Sequence, residues 1–258
     1  MSNVPLRRAE RVTAILERLS VDRSLGVAEL AEFFGVSQAT LRRDLQSLQE
    51  QRLLTRTHGG ARASDVAYEL PIRYRDSHHR EQKRRIAAEA VRRIPQGIIA
   101  VGLTGGTTTS EVARLLVERN DLTVVTNALN IAAEMALRPR LKLVVTGGVS
   151  RSQSYELVGP WAERTLLGLN VGIAFVGVDG ISAKGGLTTH DEVEAKTNAV
   201  LIGRARFTIV VADGSKVGHE LLARIVDVQD VDELITDDSA DESALEALRR
   251  TGIKVTLV

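Results

Sequence analysis

Several features common in secreted proteins and enzymes are missing from this 258-residue chain. It contains no cysteine, which excludes disulfide bonds, Cys-ligated zinc, iron–sulfur clusters and thiol catalysis. No apolar run approaches the ~20 residues that a membrane-spanning helix needs. The opening residues, MSNVPLRRAER, lack the hydrophobic core of a signal peptide. These absences predict a cytoplasmic protein with no membrane partner.

The net charge of +1 conceals an uneven distribution along the chain. Residues 1–85 carry 16 Lys+Arg and 11 Asp+Glu, a net charge of +5, whereas residues 86–258 carry a net charge of −4. A basic segment followed by a mildly acidic one suits a nucleic-acid-binding domain joined to a sensor, and the small excess permits this without requiring it. The length and the 43% hydrophobic content allow two domains.

Helical periodicity dominates residues 6–51. The run VAELAEFF, over residues 27–34, predicts a short helix that ends at Gly35. Ser37 is a suitable N-cap for a second helix, QATLRRDLQSLQEQ. The buried stripe of that helix is predicted to consist of Leu41, Leu45 and Leu48. Two amphipathic helices joined by a glycine are therefore expected.

The second helix has the composition of one that enters the major groove of DNA. Its first turns carry small and hydrogen-bonding residues, while the apolar stripe anchors it to the preceding helix. The segment RLLTRTHGGAR, over residues 52–62, predicts a basic hairpin that bends at Gly59 and Gly60. An arginine pair alone is usually a solvated face, but its combination with the cap and the hairpin favours DNA binding. The residues expected at the DNA are Ser37, Gln38, Ala39, Thr40, Arg42, Arg43, Arg56 and His58.

From residue 86 onward, short apolar runs alternate with helical stretches. The runs are Ile98–Leu103, Leu122–Val125, Leu141–Val145, Ile173–Val178, Phe207–Val211, Glu233–Ile235 and Ile253–Val258, with a helix over Glu242–Arg250. This alternation predicts an α/β fold with a Rossmann-like, open and mostly parallel sheet covered by helices on both faces. Residues 63–85 contain Pro71 and many charges, so we expect a linker between domains at 1–62 and 86–258.

The stretch IIAVGLTGGTTT, over residues 98–109, predicts a phosphate-binding turn. A strand runs into two glycines and three threonines where a helix begins, which supplies close backbone approach, hydroxyl donors and a helix N-terminus. It is neither a Walker A loop nor a dinucleotide-binding fingerprint. Polar residues and glycines also follow four other predicted strands. They are Thr126-Asn127, Thr146-Gly147-Gly148, Asp179-Gly180 and Asp213-Gly214-Ser215-Lys216. Because ligands of open parallel sheets sit at the carboxyl ends of the strands, these ends indicate a binding site.

Both halves resemble DeoR/GlpR-type bacterial repressors. The string VSQATLRRDLQSLQEQRLLTRTHGGA is similar to the DNA-binding signature of that family, and GGTTT, VVTNALNIA, VVTGG, AFVGVDGI, GGLTTHDEVEAK and VVADGSKVG are similar to its sensor. The resemblance implies a winged helix-turn-helix, in which Asp44 orients an arginine, and a sensor related in fold to ribose-5-phosphate isomerase. It also implies operator DNA, a phosphorylated sugar effector and self-association as a dimer or tetramer. The implied phosphate contacts are Gly105, Gly106, Thr107 and Thr108, and the implied sugar contacts are Asn127, Asp179, Glu194 and Lys216.

Two other functions compete with the repressor. A sugar-phosphate isomerase with an accessory DNA-binding domain would use Glu194 as its base, but Ser182 replaces the second acid of the isomerase motif Asp-Gly-Ala-Asp. This replacement favours a receptor without catalytic residues or a cofactor. His190 and Glu194 are predicted on one helix face, but without a third ligand they predict no metal site. An adaptor that uses the winged helix to bind protein is the third possibility. The sequence leaves open which sugar is sensed and whether it releases or promotes DNA binding.

Overall fold

The computed structural model describes residues 8–51, 53–63, 69, 71–75, 79–97 and 99–258. The chain divides into an N-terminal unit, Met1–Ser77, and a C-terminal unit, His78–Val258. Nine of the 23 residues of the predicted linker, residues 63–85, lie outside the described residues. The last part of that segment is helical, because a helix of the C-terminal unit begins at Arg80.

The N-terminal unit contains three helices and a small sheet, followed by a single helical turn. The elements are α1 (Arg8–Asp22), β1 (Ser24–Gly26), α2 (Val27–Phe34), α3 (Gln38–Glu50), β2 (Thr55–Thr57), β3 (Gly60–Arg62) and α4 (Ile72–Arg75). α2 ends at Gly35, whose φ of 62° is a left-handed conformation that glycine adopts without strain. The Ser37 side chain caps α3 by accepting a hydrogen bond from the Thr40 N–H at 3.2 Å. The predicted helix pair and its cap are confirmed.

The core of this unit joins all three helices to the sheet. Its fully buried members include Ile15, Leu16, Leu19, Leu30, Leu41, Leu45 and Ala61. The sheet is antiparallel in the order β1-β3-β2, so the predicted hairpin has a third strand that the sequence did not indicate. Gly60 faces Gly26 in this sheet, and a Cβ on Gly60 would lie 1.9 Å from the Leu25 carbonyl oxygen. The close pairing of β1 with β3 therefore requires glycine at residue 60.

The C-terminal unit is built on a seven-stranded parallel sheet in the order β15-β14-β12-β9-β4-β5-β6. Its elements up to the middle of the unit are α5 (Arg80–Val91), β4 (Ile99–Leu103), α6 (Thr107–Leu116), β5 (Leu122–Thr126), α7 (Leu129–Ala136), β6 (Lys142–Val145), β7 (Val149–Arg151), β8 (Glu156–Val158) and α8 (Pro160–Leu167). The remaining elements are β9 (Ile173–Val176), β10 (Gly180–Ser182), β11 (Gly186–Thr189), α9 (Glu192–Arg204), β12 (Thr208–Val211), β13 (Ala223–Val226), β14 (Glu233–Thr236), α10 (Glu242–Arg250) and β15 (Lys254–Leu257). The predicted α/β class and parallel sheet are confirmed.

Helices cover both faces of the sheet because its strands are apolar on both sides. In β9, Ile173 and Phe175 pack toward α5, α6 and α7, whereas Ala174 and Val176 pack toward α8, α9 and α10. The same alternation occurs in β5, β12 and β14. The sheet thus separates two hydrophobic cores, one on each face.

Two smaller sheets were not predicted from the sequence. β10, β11 and β13 form an antiparallel sheet, and β7 pairs with β8 in a hairpin. Both follow carboxyl ends of the parallel strands, so they lie where a ligand of such a sheet would bind. No helix in the described part of the chain is both long and apolar enough to cross a membrane.

Candidate nucleic-acid interface and anion site

The predicted DNA-binding face of α3 is accessible. Ser37, Gln38, Ala39, Arg42 and Arg43 are exposed and Thr40 is half-buried. The Arg42 guanidinium donates to Gln38 Oε1 at 3.2 Å, whereas Arg43 makes no side-chain hydrogen bond with any described residue. A guanidinium without a protein partner is available to guanine edges or to phosphates.

Asp44, next to Arg43, lies on the opposite side of α3. Its carboxylate is buried and accepts hydrogen bonds from the Nε of Arg11 at 2.8 Å and from the Nε of Arg8 at 3.1 Å, both on α1. The residue therefore contacts arginine, as the resemblance implied, and ties α3 to α1.

The hairpin of β2 and β3 carries the remaining predicted DNA contacts. Arg56 lies on β2 and His58 lies in the two-residue turn, and both side chains are exposed. Neither makes a hydrogen bond or an ion pair with a described residue. The hairpin thus presents cationic and polar groups that the fold does not use.

The predicted anion site lies where the strand order of the parallel sheet reverses. The chain proceeds from β4 outward to β5 and β6, and then returns to β9 on the other side of β4. The segments that follow β4 and β9 contact each other, since the Gly177 N–H donates to Thr104 Oγ1 at 2.9 Å. A Cβ on Gly177 would lie 2.7 Å from the Gly105 carbonyl oxygen. Such a reversal opens the crevice in which open α/β sheets bind ligands.

The anion cradle, defined as Gly105, Gly106, Thr107 and Thr108, joins β4 to α6. Gly106 has a φ of 132°, which favours glycine, and α6 begins directly after it. The backbone N–H groups of Gly106, Thr107 and Thr108 and the two threonine hydroxyls make no hydrogen bond within the described part of the chain. By contrast, the hydroxyls of Thr109 and Ser110 donate hydrogen bonds to the Gly106 carbonyl oxygen. The cradle therefore holds free donors at a helix N-terminus, which favour an anion.

The Gly105 N–H differs from its neighbours because a protein carboxylate already occupies it. Glu156 Oε1, on β8, accepts this hydrogen bond at 2.5 Å, and a Cβ on Gly105 would lie 2.4 Å from the same oxygen. Glu156 Oε2 accepts from the side-chain amides of Asn127 at 3.3 Å and Asn198 at 3.2 Å. The structure therefore brings Asn127 and the cradle together through a buried glutamate.

Asp179 and Glu194, two of the predicted sugar contacts, belong to a second group. The Thr189 hydroxyl lies 2.7 Å from Glu194 Oε1 and 3.1 Å from Asp179 Oδ2. Arg151 Nη1 donates to Glu194 Oε2 at 3.2 Å. Burial raises the pKa of Glu194, with nearby Asp179 acting in the same direction, while the hydrogen bond from Thr189 and the charge of Arg151 oppose the increase. The pair thus forms an acidic site, in which Glu194 is buried and Asp179 is half-buried, next to the cation of Arg151.

Lys216, the fourth predicted sugar contact, forms no side-chain hydrogen bond with a described residue of either group. It ends the short 3₁₀ helix Gly214–Lys216 after β12 and is half-buried. Its ammonium group makes no hydrogen bond or ion pair with a described residue. The lysine therefore lies at the carboxyl edge of the sheet with its donors unused.

The structure corrects the predicted arrangement of His190 and Glu194. α9 begins at Glu192, and the Asp191 side chain caps it by accepting from the N–H groups of Val193 and Glu194. His190 therefore precedes the helix and does not share a helix face with Glu194. The described residues contain no group of three potential ligands suited to a metal ion.

Ser182, which replaces the second isomerase acid, has a structural partner. Its hydroxyl donates to Glu220 Oε1 at 2.7 Å and accepts from the Gly185 N–H at 2.8 Å. These two bonds tie the turn between β10 and β11 to the segment that precedes β13. The serine is therefore engaged in local structure.

Two residues of the site escaped the sequence analysis. Glu156 lies in a three-residue strand that has no recognisable pattern, so no sequence signal pointed to it. Asn198 is four residues after Glu194 on α9, and this spacing, which places both residues on one helix face, was a usable signal. Both side chains are buried in the structure.

The fold and these surfaces define a DNA-binding regulator with a helix-turn-helix unit and a ligand-sensing α/β unit. Family models match both parts: the DeoR-like helix-turn-helix domain over residues 11–66, and the DeoR C-terminal sensor domain over residues 78–238. The chain belongs to the DeoR family of transcriptional regulators.

Curated relatives match this chain over nearly its full length. It is 35% identical to a putative aga operon transcriptional repressor of Escherichia coli O157:H7, covering 100% of this chain and 99% of the relative. It is 29% identical to the glycerol-3-phosphate regulon repressor of E. coli K12, covering 98% and 100%. A ribose-5-phosphate isomerase from Methanocaldococcus jannaschii shows 20% identity and a TM-score of 0.40 over 56% of this chain and 55% of its own.

Proposed function

We propose that this protein is a transcriptional repressor of a carbohydrate-metabolism operon, whose binding to operator DNA is regulated by a phosphorylated sugar or sugar derivative. The observation that carries the proposal is the anion cradle, with its free donors at the sheet's reversal point, in a chain that also has a DNA-binding unit. The relatives named for the aga operon and for the glycerol-3-phosphate regulon support a role in carbohydrate metabolism. Such a regulator acts in the cytoplasm, where it meets its operator.

The DNA contacts come from α3 and the hairpin. The contact residues are Ser37, Gln38, Ala39, Thr40, Arg42, Arg43, Arg56 and His58. The exposure of the α3 residues and the free guanidinium of Arg43 support direct base contacts by this helix. A dimer or tetramer would place two such helices on half-sites separated by about one turn of DNA or a multiple of it.

The effector occupies the carboxyl edge of the parallel sheet. Its phosphate binds the free donors of the cradle, Gly106, Thr107 and Thr108, beside Gly105, and its sugar faces Asn127, Asp179, Glu194 and Lys216. Asn127 supports this orientation because its Oδ1 is buried without a donor in the described structure, and a sugar hydroxyl would satisfy it. The free ammonium of Lys216 supplies positive charge for an anionic ligand.

The isomerase alternative receives no comparable support. Family membership and the names of the relatives point to regulation, and Ser182 binds Glu220 and Gly185 instead of providing a second acid. Ligand binding regulates DNA affinity only if one arrangement of the protein binds the ligand better than another.

The proposal is tested by electrophoretic mobility shift on the DNA upstream of the protein's own gene. Purified protein at low salt is expected to retard this DNA in preference to a scrambled fragment of equal length. A sugar-phosphate panel is then screened by differential scanning fluorimetry, because any ligand that binds only the folded state raises the unfolding temperature. The ligands found there are expected to change the mobility shift. Equal affinity for both DNA fragments would overturn the proposal that the protein is a repressor. A panel without thermal shifts would overturn the proposal that it senses a sugar phosphate.

A further inference from the structure

The carboxyl group of Glu156 is buried, and its hydrogen-bond donors are all neutral. It accepts from the Gly105 N–H and from the side-chain amides of Asn127 and Asn198, and only 2% of the residue is exposed. No described Lys, Arg or His forms an ion pair with it. A buried charge without an opposite charge is costly, so its protonation state responds to any further charge placed nearby.

The backbone holds Glu156 beside the cradle. The Leu157 N–H donates to the Asn127 carbonyl at 2.7 Å, and the Leu129 N–H donates to the Tyr155 carbonyl at 2.9 Å. These bonds flank Glu156 on both sides and fasten β8 to the segment that follows β5. The carboxyl group therefore remains next to Gly105 when an anion binds the adjacent donors.

The charged groups on the surrounding elements do not neutralise Glu156. On β7, Arg151 pairs with Glu194 at 3.2 Å and with Asp191 at 3.1 Å. On α8, Glu163 pairs with Lys196 of α9, and on α6, Glu111 pairs with Arg114. Glu194 on α9 is itself acidic and acts on Glu156 as a like charge.

We infer that Glu156 takes up a proton when an anion binds to the N–H groups of Gly106, Thr107 and Thr108, so that the sensor binds its effector phosphate more tightly at lower pH. The inference rests on the proposed function, since it assigns the phosphate to this cradle. A divalent anion on the Gly106 N–H would lie next to the Gly105 N–H, which donates to the Glu156 carboxyl group. That carboxyl group has no counter-charge among the described residues. Uptake of one proton removes the repulsion between the two.

The chemistry of the partners makes both protonation states of Glu156 acceptable. Asn127 and Asn198 donate to the ionised carboxylate, and each also carries an amide oxygen that can accept from a protonated carboxyl after rotation of the amide. Asn127 Oδ1 already lacks a donor. Burial raises the pKa of Glu156 well above its ordinary value, and the charge of Glu194 acts in the same direction, so both effects favour uptake of a proton.

Sulfate is the probe, because it remains a dianion where phosphate itself titrates. Its affinity for the full-length protein is measured by isothermal titration calorimetry from about pH 5 to pH 8 at constant ionic strength. Wild-type affinity is expected to fall by up to about tenfold per pH unit above the pKa of unliganded Glu156. Titrations in two buffers of different ionisation enthalpy are expected to show uptake of up to one proton, a readout that needs no variant.

Glu156→Gln supplies the decisive comparison, with Glu242→Gln as the control that removes the same charge from an exposed position on α10. Glu156→Gln is expected to bind sulfate without pH dependence and, above the pKa of unliganded Glu156, more tightly than wild type by a factor that grows by up to about tenfold per pH unit. Glu242→Gln is expected to match wild type.

The outcomes separate this inference from the proposed function. Saturable sulfate binding with no proton uptake in wild type overturns the inference and leaves the cradle intact. Unchanged pH dependence in Glu156→Gln also overturns it, and Glu194→Gln then shows whether Glu194 is the group that titrates. No saturable sulfate binding by wild type at any pH overturns the cradle itself.

Discussion

The Asp44 carboxylate on α3 accepts a hydrogen bond at 2.8 Å from Arg11 on α1, and both side chains are buried. The other carboxylate oxygen accepts from Arg8 at 3.1 Å. This contact joins the first helix to the side of α3 that faces away from solvent. The orientation of α3, the proposed DNA-binding helix, thus depends on a residue on its buried side.

Asp44→Ala is therefore expected to impair DNA binding through stability. Removing one member of a buried ion pair leaves the other charge buried, and such changes cost about 3–5 kcal/mol. Hydrogen exchange of the α3 amides measures the loss within the N-terminal unit. Glu50→Ala, an exposed change on the same helix, is the control and is expected to alter stability by about 0.5 kcal/mol or less. Equal protection of α3 in both variants would contradict the structural role of Asp44.

Arg43→Ala is expected to reduce operator affinity by about 1–3 kcal/mol if its free guanidinium binds a base. Fluorescence anisotropy with operator and scrambled duplexes measures the effect, and the loss should be larger for the operator. Arg249→Ala, an exposed change on α10, is the matched control and should leave both affinities unchanged. An equal loss on the two duplexes would reassign Arg43 to the phosphate backbone.

Arg56→Ala tests the hairpin, whose expected contact is with the DNA backbone. Loss of one phosphate contact should weaken binding to all sequences similarly and reduce the dependence of log affinity on log salt by about one unit. Anisotropy titrations at several salt concentrations measure this slope, with Arg249→Ala again as control. A slope identical to that of wild type would remove Arg56 from the interface.

Much of the fold could be predicted because its periodic patterns are long. The parallel strands are continuous apolar runs, and the helix over Glu242–Arg250 has the bounds that the sequence indicated. The strands of the two smaller sheets mix polar or glycine residues with apolar ones over three or four positions, so no continuous apolar run marks them. Their pairing depends on contacts between distant segments, which a local pattern does not record.

The same limit applied to the anion site. The family resemblance implied that Gly105 contacts the phosphate, and a glycine before a helix also allows close approach of an anion. In the structure Glu156, from a distant segment of the chain, occupies the space that a Cβ on Gly105 would need. Local composition predicted a turn between a strand and a helix, and the structure has one between β4 and α6, but the group that fills part of it comes from the tertiary fold.

The close approach of Gly105 and Glu156 makes their substitutions non-additive. Gly105→Ala alone is expected to destabilise the C-terminal unit by about 1–3 kcal/mol, because the new Cβ would overlap the glutamate side chain. In a Glu156→Ala background the same change should cost less, since the space is then open. The interaction energy of the double-mutant cycle, measured by chemical denaturation, is expected to exceed about 0.5 kcal/mol. Additive effects would show that Gly105 is required for another reason.

Protonation of Glu233 on β14 is expected to lower the free energy of unfolding of the protein in acid. Its buried carboxylate accepts from Arg93 Nη2 at 2.8 Å and from the Thr256 hydroxyl at 2.7 Å, and lies 3.1 Å from Lys254 Nζ. Burial alone would raise the pKa of Glu233, but these partners outweigh it and lower the pKa to about 2. Because the folded-state pKa lies below the unfolded one, the stabilisation is complete above about pH 5 and is lost as the pH falls toward 2.

This stabilisation corresponds to about 3 kcal/mol at neutral pH. Glu233→Gln is expected to lose it, so the stability difference from wild type should shrink as the pH falls from 7 to 3. Denaturant titrations followed by fluorescence of Trp161, the single tryptophan of the chain, measure the difference. Glu242→Gln, at an exposed position, is the control. A difference that does not change with pH would show that the ion pair makes no net contribution.

Lys216 offers a test of the effector site that is separable from folding. Its ammonium group has no protein partner among the described residues, so Lys216→Met should leave the unfolding temperature of the unliganded protein almost unchanged. If the lysine contacts the anionic effector, removal of this charge-assisted hydrogen bond should weaken binding of an active sugar phosphate by about tenfold or more. Scanning fluorimetry across a range of ligand concentrations yields both quantities. Lys184→Met, which removes an exposed lysine from the turn between β10 and β11, is the matched control. Wild-type affinity in Lys216→Met would exclude the lysine from the site, whereas equal weakening in both variants would indicate only a general effect of charge.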